Sequence, residues 1–269
     1  MNILILGDIM GPSGRKAIAD KLPDLIKEKK IDFVVVNGEN AADSGAGIKK
    51  ENAEEFFNAG ADVITTGNHV WDEKEAMKFI SSEKRLLRPE NLLEGAPGKG
   101  FSIYNSKNNK KVAVLNLMGN MMMKKTDDVF LAAKRFIHLI KLKQEADFII
   151  VDMHGEFTSE KMAMGYLFDG KATIVVGTHT HIPTSDHRIM ENGTAYQTDI
   201  GMCGDYNSVI GMNRDNSLKK FLKDPSAKKH YPALGEATIS GIMVCANDET
   251  GLAKKIEPII LGKLLENRI

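Results

Sequence analysis

Short apolar runs alternate with amphipathic stretches through the first third of the chain. Residues 3–6, 33–36 and 62–65 are brief segments rich in β-branched side chains. Runs of this kind read as strands buried on both faces. Between them, residues 14–29, 49–59 and 73–81 place apolar side chains at helical spacing, and Pro23 is expected to break or kink the first helix. This βαβαβ rhythm predicts parallel strands joined by right-handed crossovers.

The pattern changes further along. Residues 101–104 and 111–117 read as a strand pair around the polar turn 105–110. A helix is expected over 127–143, a strand over 147–151, a helix over 159–168 and a strand over 173–176. Beyond Pro183 the strand candidates are 188–190, 193–197, 238–245 and 253–261, with Glu191-Asn192-Gly193 as a hairpin signal. Residues 202–233 read as loop, interrupted by one short helix over 216–222. With no Pro/Ser-rich linker and no internal repeat, a single domain over 1–269 is the expectation. The strands outnumber what one open sheet would hold, so two packed sheets flanked by helices are predicted.

Composition narrows the function classes. Apolar residues make up 42% and charged residues 27%, enough for a large core. Lysine plus arginine equals aspartate plus glutamate at 36 each, so a global basic field for gripping a polynucleotide is excluded, though not a local patch. The spacing of Cys203 and Cys245 fits no zinc or redox motif, and a reducing, cytoplasmic compartment is expected. The apolar run at the start, Ile3 to Leu6, is too short for a signal peptide and has no basic leader. No stretch approaches the roughly 18 apolar residues of a spanning helix, so a soluble protein with no membrane partner is expected.

Candidate chemistry gathers where apolar runs end. Gly7-Asp8, Gly38-Glu39-Asn40, Gly67-Asn68-His69, Met153-His154-Gly155 and Gly177-Thr178-His179-Thr180-His181 each follow or close a predicted buried strand. The carboxyl edge of such sheets is where ligands bind. Oxygen and imidazole donors without thiolate suit iron, manganese or zinc. A carboxylate can bridge two cations about 3.5–4 Å apart, and this set is large enough to supply both shells. Taken singly, most of these residues have a structural explanation. Asp8 could cap the next helix, Asn40 and Asn68 are turn formers, and His154 could be a hydrogen-bonded core histidine. His179 and His181, two apart at one strand exit, read as ligands already. Five such coincidences at five equivalent positions favour a metal site.

Other features are read structurally. His138 falls on a helix surface, His230 in the solvated run Lys228-Lys229-His230, and His187 beside the last motif in a structural role. Met121-Met122-Met123 could line a substrate mouth or a subunit contact, and filling a loop interior is the first expectation. Gly11-Pro12-Ser13-Gly14-Arg15 lacks the Lys-Ser/Thr ending of a P-loop, but could bring Arg15 toward a phosphate.

Five motifs together resemble the calcineurin-like metallophosphoesterases, and more closely their small bacterial branch of YmdB-type phosphodiesterases. They are Gly7-Asp8-Ile9-Met10-Gly11, Asn37-Gly38-Glu39-Asn40-Ala41, Thr66-Gly67-Asn68-His69-Val70-Trp71-Asp72, Asp152-Met153-His154-Gly155-Glu156 and Gly177-Thr178-His179-Thr180-His181. The superfamily usually opens with Asp-x-His and continues with Gly-Asp-x-x-Asp. Here Met10 replaces that histidine and Glu39 stands where the bridging aspartate would be, both as in the YmdB-like branch.

The resemblance implies a four-layer α/β/β/α sandwich of two packed mixed sheets flanked by helices. It implies two divalent or trivalent metal ions, iron first, with manganese or zinc as alternatives. Asp8, Glu39, Asn40 and His181 would hold one ion. Glu39 would bridge to the second, completed by Asn68, His154 and His179. His69 would stay off the metals as general acid, oriented by Asp72. The implied activity is hydrolysis of small nucleotide diesters, 2′,3′-cyclic nucleotides or 3′,5′-cyclic AMP, by a metal-bridging hydroxide. Two other functions stand beside it: a phosphomonoesterase or nucleotidase on the same scaffold, with Arg15, Arg188 or Arg214 on the phosphate, and a regulatory, RNA-associated protein with structural metals. The expected partner is a small phosphodiester substrate; an RNA link and a homo-oligomer stay open.

Overall fold

The computed structural model describes residues 1–265 and 267. The first half carries β1 (Asn2–Ile9), α1 (Gly11–Glu28), β2 (Phe33–Asn37), α2 (Lys50–Ala59), β3 (Val63–Thr65), α3 (Ala76–Phe79), β4 (Phe101–Asn105) and β5 (Lys111–Met118). The second half carries α4 (Val129–Leu139), β6 (Phe148–His154), α5 (Thr158–Phe168), β7 (Ile174–Thr178), β8 (Arg188–Ile189), β9 (Ala195–Gln197), β10 (Met202–Cys203), α6 (Arg214–Phe221), β11 (Ile239–Ala246) and β12 (Ala253–Leu261). One sheet has the order β12-β11-β1-β2-β3, with β10 paired beside the end of β1; the other runs β4-β5-β6-β7-β9-β8. Parallel pairs β1-β2-β3 and β5-β6-β7-β9 form the centres, and β11, β12, β4 and β8 add antiparallel edges.

Strand alternation sets the layers. Ile3, Ile5, Phe33 and Val35 meet Val114 and Ile150 in a core between the sheets. Leu4, Leu6, Val34 and Val36 point the other way, onto Ile18 of α1 and Phe56 of α2. On the far side, Leu115, Val151 and Val175 pack against Phe136 of α4 and Met164 of α5. The central strands β1, β2, β6 and β7 are therefore buried on both faces, because each sheet is covered once by its partner sheet and once by helices. The result is a four-layer α/β/β/α sandwich of two mixed sheets.

Several boundaries differ from the sequence expectation. Helix α1 is continuous through Pro23 and begins at Gly11, with a proline in its first turn where the missing N–H costs nothing. Pro23 does not end the helix, because Ile18, Leu22 and Leu25 stay buried on either side of it. The expected helix over 73–81 shrinks to Ala76–Phe79, since Asp72 and Ala76 make turn bonds to His69 and Glu73. Asp128 caps α4 by accepting from the Leu131 N–H, and the helix stops at Leu139, short of residue 143. Strand β10 is only two residues long and left no periodic signal. Among the described residues, no helix is long and apolar enough to cross a membrane.

Candidate metal centre and the cleft beside it

The two sheets meet at the carboxyl ends of β2, β3, β6 and β7 through Asp152. Its Oδ2 accepts from Asn37 Nδ2 (3.0 Å) and from the Thr65 hydroxyl, both on the first sheet, while Oδ1 accepts from the Thr178 hydroxyl at 2.7 Å. Sequence reading gave this residue no role, and its partners lie 26 to 115 positions away.

Asp8 is fully buried near the end of β1, just past a register shift between Leu6 and Asp8. At this shift Gly7 lies so close to the Gly201 carbonyl that no Cβ would fit. Asp8 does not cap α1, whose N-cap Met10 has no side-chain bond. Its Oδ2 accepts from the His179 N–H at 3.0 Å, and its Oδ1, 3.7 Å from His154 Nδ1, has no hydrogen-bond partner. Glu39, in the turn after β2, accepts from the His69 N–H through Oε2 at 3.1 Å. Its other oxygen lies 3.1 Å from His154 Nε2 without hydrogen-bond geometry. A side chain on Gly67 would overlap both Glu39 and the His154 ring.

The protons around the histidines can be assigned by elimination. Thr178 gives its single hydroxyl proton to Asp152, so at 2.9 Å it must accept from His154 Nδ1. His154 Nε2 then faces the site, 3.0 Å from Asn68 Oδ1 and 3.1 Å from His179 Nδ1. His181 Nδ1 lies 2.7 Å from the Ile210 carbonyl, which can only accept, so its Nε2 presents a lone pair. That lone pair faces Asn40 Oδ1 at 3.2 Å, and Asn40 is held in this orientation by donating Nδ2 to the Gly45 carbonyl at 2.9 Å. With the imidazoles neutral, acceptor atoms face one another about 3 Å apart in two places. Such contacts are repulsive without a positive charge between them, and are the separations of donors sharing one cation at about 2 Å. Orphaned, fully buried oxygens on Asp8 and Glu39 point the same way. Donor atoms of Glu39, His154 and His179 all lie within 4.8 Å of one another. The donor set fits divalent cations.

Charges in the cluster answer each other. Burial would raise the Asp8 carboxyl, and His181 and His154 offset this only in part, leaving it near 6. Burial would also raise Glu39, but the His154 imidazole outweighs it and holds the carboxyl well below the ordinary range. For His154, burial is overridden by Glu39 and Asp8, which lift the imidazole to about 9. Burial and the neighbouring His154 push His179 down to about 3. A proton on His154 supplies positive charge in the cluster and lets Nε2 donate toward Asn68 Oδ1.

His69 stands apart from these donors. Its Nδ1 lies 2.7 Å from Asp72 Oδ2, which leaves Nε2 uncommitted. Lys124, unremarked in the sequence, donates to the Asn68 carbonyl and to Asp72 Oδ1 (3.1 Å) and so braces both residues. A second brace is Asp199, which accepts from the Thr180 N–H (3.1 Å), the Thr180 hydroxyl (2.8 Å) and Lys161 Nζ (2.7 Å). Thr180 sits between His179 and His181, whose φ angles of 101° and 68° are left-handed. Backbone in this region is unfavourable for a side-chain-bearing residue and persists only where the surroundings impose it.

Other expectations are corrected. Arg15 does not face the site: it donates to the Ala41 carbonyl (2.6 Å) and pairs with Asp43 (2.8 Å) and Glu55 (3.3 Å). Arg188 is held by Asp186 and Arg214 by Asp215 and Asn207. Met121 and Met122 are 48% and 82% exposed, so they do not fill a loop interior. His138 is exposed as expected. His230 is exposed too, but it lines a cavity that also reaches His69.

Comparison with known proteins follows the same lines. A sequence profile described as YmdB-like protein matches residues 4–259. The 2′,3′-cyclic-nucleotide 2′-phosphodiesterase of Bacillus subtilis is 42% identical over 262 residues, covering 97% of each chain. A hypothetical protein of Thermus thermophilus, of known crystal structure, superposes with a TM-score of 0.89 at 36% identity, over 98% of this chain and all of that one. A Mycoplasma pneumoniae protein whose crystal structure is described as that of a novel phosphatase superposes equally well, with a TM-score of 0.89 at 34% identity over 97% and 93% of the two chains. With 97% of its length matched and its motif residues drawn together where the two sheets meet, the chain belongs to the YmdB-like protein family.

Proposed function

We propose that the protein is a metal-dependent phosphodiesterase acting on small nucleotide diesters, with 2′,3′-cyclic nucleotides as first substrate and 3′,5′-cyclic AMP as second. The observation carrying this reading is the acceptor-to-acceptor contact of His181 Nε2 with Asn40 Oδ1 next to the orphaned buried oxygens of Asp8 and Glu39, beside a histidine left free to donate. Asp8, Glu39, Asn40 and His181 would hold one cation; Glu39, Asn68, His154 and His179 would hold the other. Bound there, divalent ions would supply Lewis acidity to the phosphoryl group and lower the pKa of a water molecule.

The chain's own residues supply the rest. Asp72 accepts from His69 Nδ1 and fixes the ring with Nε2 free to donate. His69 Nε2 delivers a proton to the ribose oxygen as its bond to phosphorus breaks, because an alkoxide is too basic to leave unaided. Water supplies the hydroxyl that remains on phosphorus. Lys124 holds Asp72 and the Asn68 backbone in register. The monoesterase alternative calls for cationic side chains on a dianionic phosphate, and Arg15, Arg188 and Arg214 are all engaged elsewhere. Cys203 and Cys245 are both free thiols, in keeping with a cytoplasmic location.

The test is hydrolysis of 2′,3′-cyclic AMP, bis-p-nitrophenyl phosphate and p-nitrophenyl phosphate by protein loaded with iron or manganese. Turnover of the two diesters well above the monoester is expected. Preference for the monoester, or no turnover by metal-loaded protein, overturns the reading.

A further inference from the structure

A cavity of about 740 Å³ opens beside the donor cluster, within the usual size range of small-molecule sites. His69 and Asp72 form one wall. Ile210 and Met212 from the loop before α6, and Phe221 at the end of that helix, line it as well. Lys229 adds a cationic group and His230 an imidazole at the same mouth.

We propose that this cavity is the nucleoside subsite, with the base stacked on Phe221; the inference rests on the diesterase reading above. Continuity with the chemistry is the first argument. In a nucleotide diester the leaving oxygen belongs to the ribose, so the nucleoside must lie where His69 can reach it, and this cavity is where His69 is exposed. The lining is also tied to the metal donors. Ile210 places its carbonyl 2.7 Å from His181 Nδ1 while its own φ is 48°. A β-branched residue in left-handed backbone is a genuine outlier, and such strain marks sites where position matters more than comfort.

The same Ile210 leaves its side chain 52% exposed toward the opening, and Phe221 is 77% exposed. An aromatic ring with an open face, flanked by aliphatic side chains, suits the flat face of any base. In the same lining, Ser217 is buried, and its hydroxyl has no hydrogen-bond partner among the described residues. It offers a polar contact to the edge of a ring or a ribose hydroxyl. Lys229 complements the negative charge of the phosphate the nucleoside carries.

The test uses Phe221→Ala, a change at an exposed position that should not disturb folding, and Phe221→Trp as its conservative counterpart. Two cyclic diesters are compared on metal-loaded protein: 2′,3′-cyclic AMP, and glycerol 1,2-cyclic phosphate, which has the same five-membered ring and no base. Phe221→Ala should lower kcat/KM for the nucleotide about 10-fold, in line with loss of one stacked base, and change the glycerol compound less than about twofold. Phe221→Trp should restore the nucleotide. Equal effects on both substrates, or on neither, overturn the subsite. Binding of adenosine 3′-monophosphate, measured by calorimetry, reads the subsite without turnover. About 10-fold weaker binding by Phe221→Ala supports it even if the diesterase reading fails, and unchanged affinity removes it.

Discussion

Lys161 donates to Asp199 across 2.7 Å with both side chains about 1% exposed, deep beneath the loop that carries His179 and His181. Removing one partner of a buried ion pair strands the other charge, which typically costs about 3–5 kcal/mol. Lys161→Met should therefore lower unfolding free energy by about that amount, read from urea midpoints at fixed slope. A loss under about 1 kcal/mol would mean that the pair is solvated in solution.

Asp152 lies behind His154 rather than among the donor atoms. Through Thr178 it fixes the His154 tautomer with Nε2 toward the site. Asp152→Asn can turn an amide N–H₂ toward Thr178, reverse that hydroxyl and put the wrong nitrogen forward. Metal affinity should fall about 10–100-fold, the usual effect of losing an outer partner of a ligand. Competition with a chromophoric chelator measures it; unchanged affinity would show that the tautomer is set elsewhere.

Gly67 leaves room for the His154 ring and the Glu39 carboxylate, which a Cβ would overlap. Gly67→Ala is expected to abolish metal uptake while leaving the far-UV circular dichroism spectrum intact. Normal uptake would mean that the turn after β3 moves aside freely.

Burial would raise the Asp186 carboxyl, but bonds from Thr184, Thr198 and Arg188 outweigh it and hold it below the ordinary range. A carboxyl depressed in the folded protein stabilises above its unfolded pKa of about 3.9, and this contribution is lost as pH falls through the folded value. The stability gap between the protein and Asp186→Asn should thus be full near neutrality and shrink as pH drops below about 4. A gap that stays constant to acid pH, or widens, would show that the carboxylate charge contributes nothing.

Much of this centre was legible in the chain because each donor follows an apolar run, often beside a glycine, as in Gly38-Glu39-Asn40 and Gly67-Asn68-His69. Strand exits have a local signature. The braces do not: Lys161 and Asp199 are 38 positions apart, Asn37 and Asp152 are 115 apart, and no periodicity links them. Pro23 does not break α1, because its rule concerns one backbone bond while the buried face of the helix holds it together. Met121-Met122-Met123 misled because methionine composition does not separate a filled interior from an exposed loop.

His69→Gln separates proton delivery from metal binding. Metal content should be unchanged, and hydrolysis of 2′,3′-cyclic AMP should fall about 10²–10⁴-fold, the range of general acid catalysis. The loss should be smaller for bis-p-nitrophenyl phosphate, whose phenolate leaves without help. Loss of metal and activity together would make His69 a ligand.

Metal content tests the centre most directly: elemental analysis of the protein after incubation with iron or manganese, beside His154→Ala and His181→Ala. About two ions per chain are expected for the unaltered protein and about one for each variant. No bound ion in the unaltered protein, or the same content in all three, would contradict a paired site built from these donors.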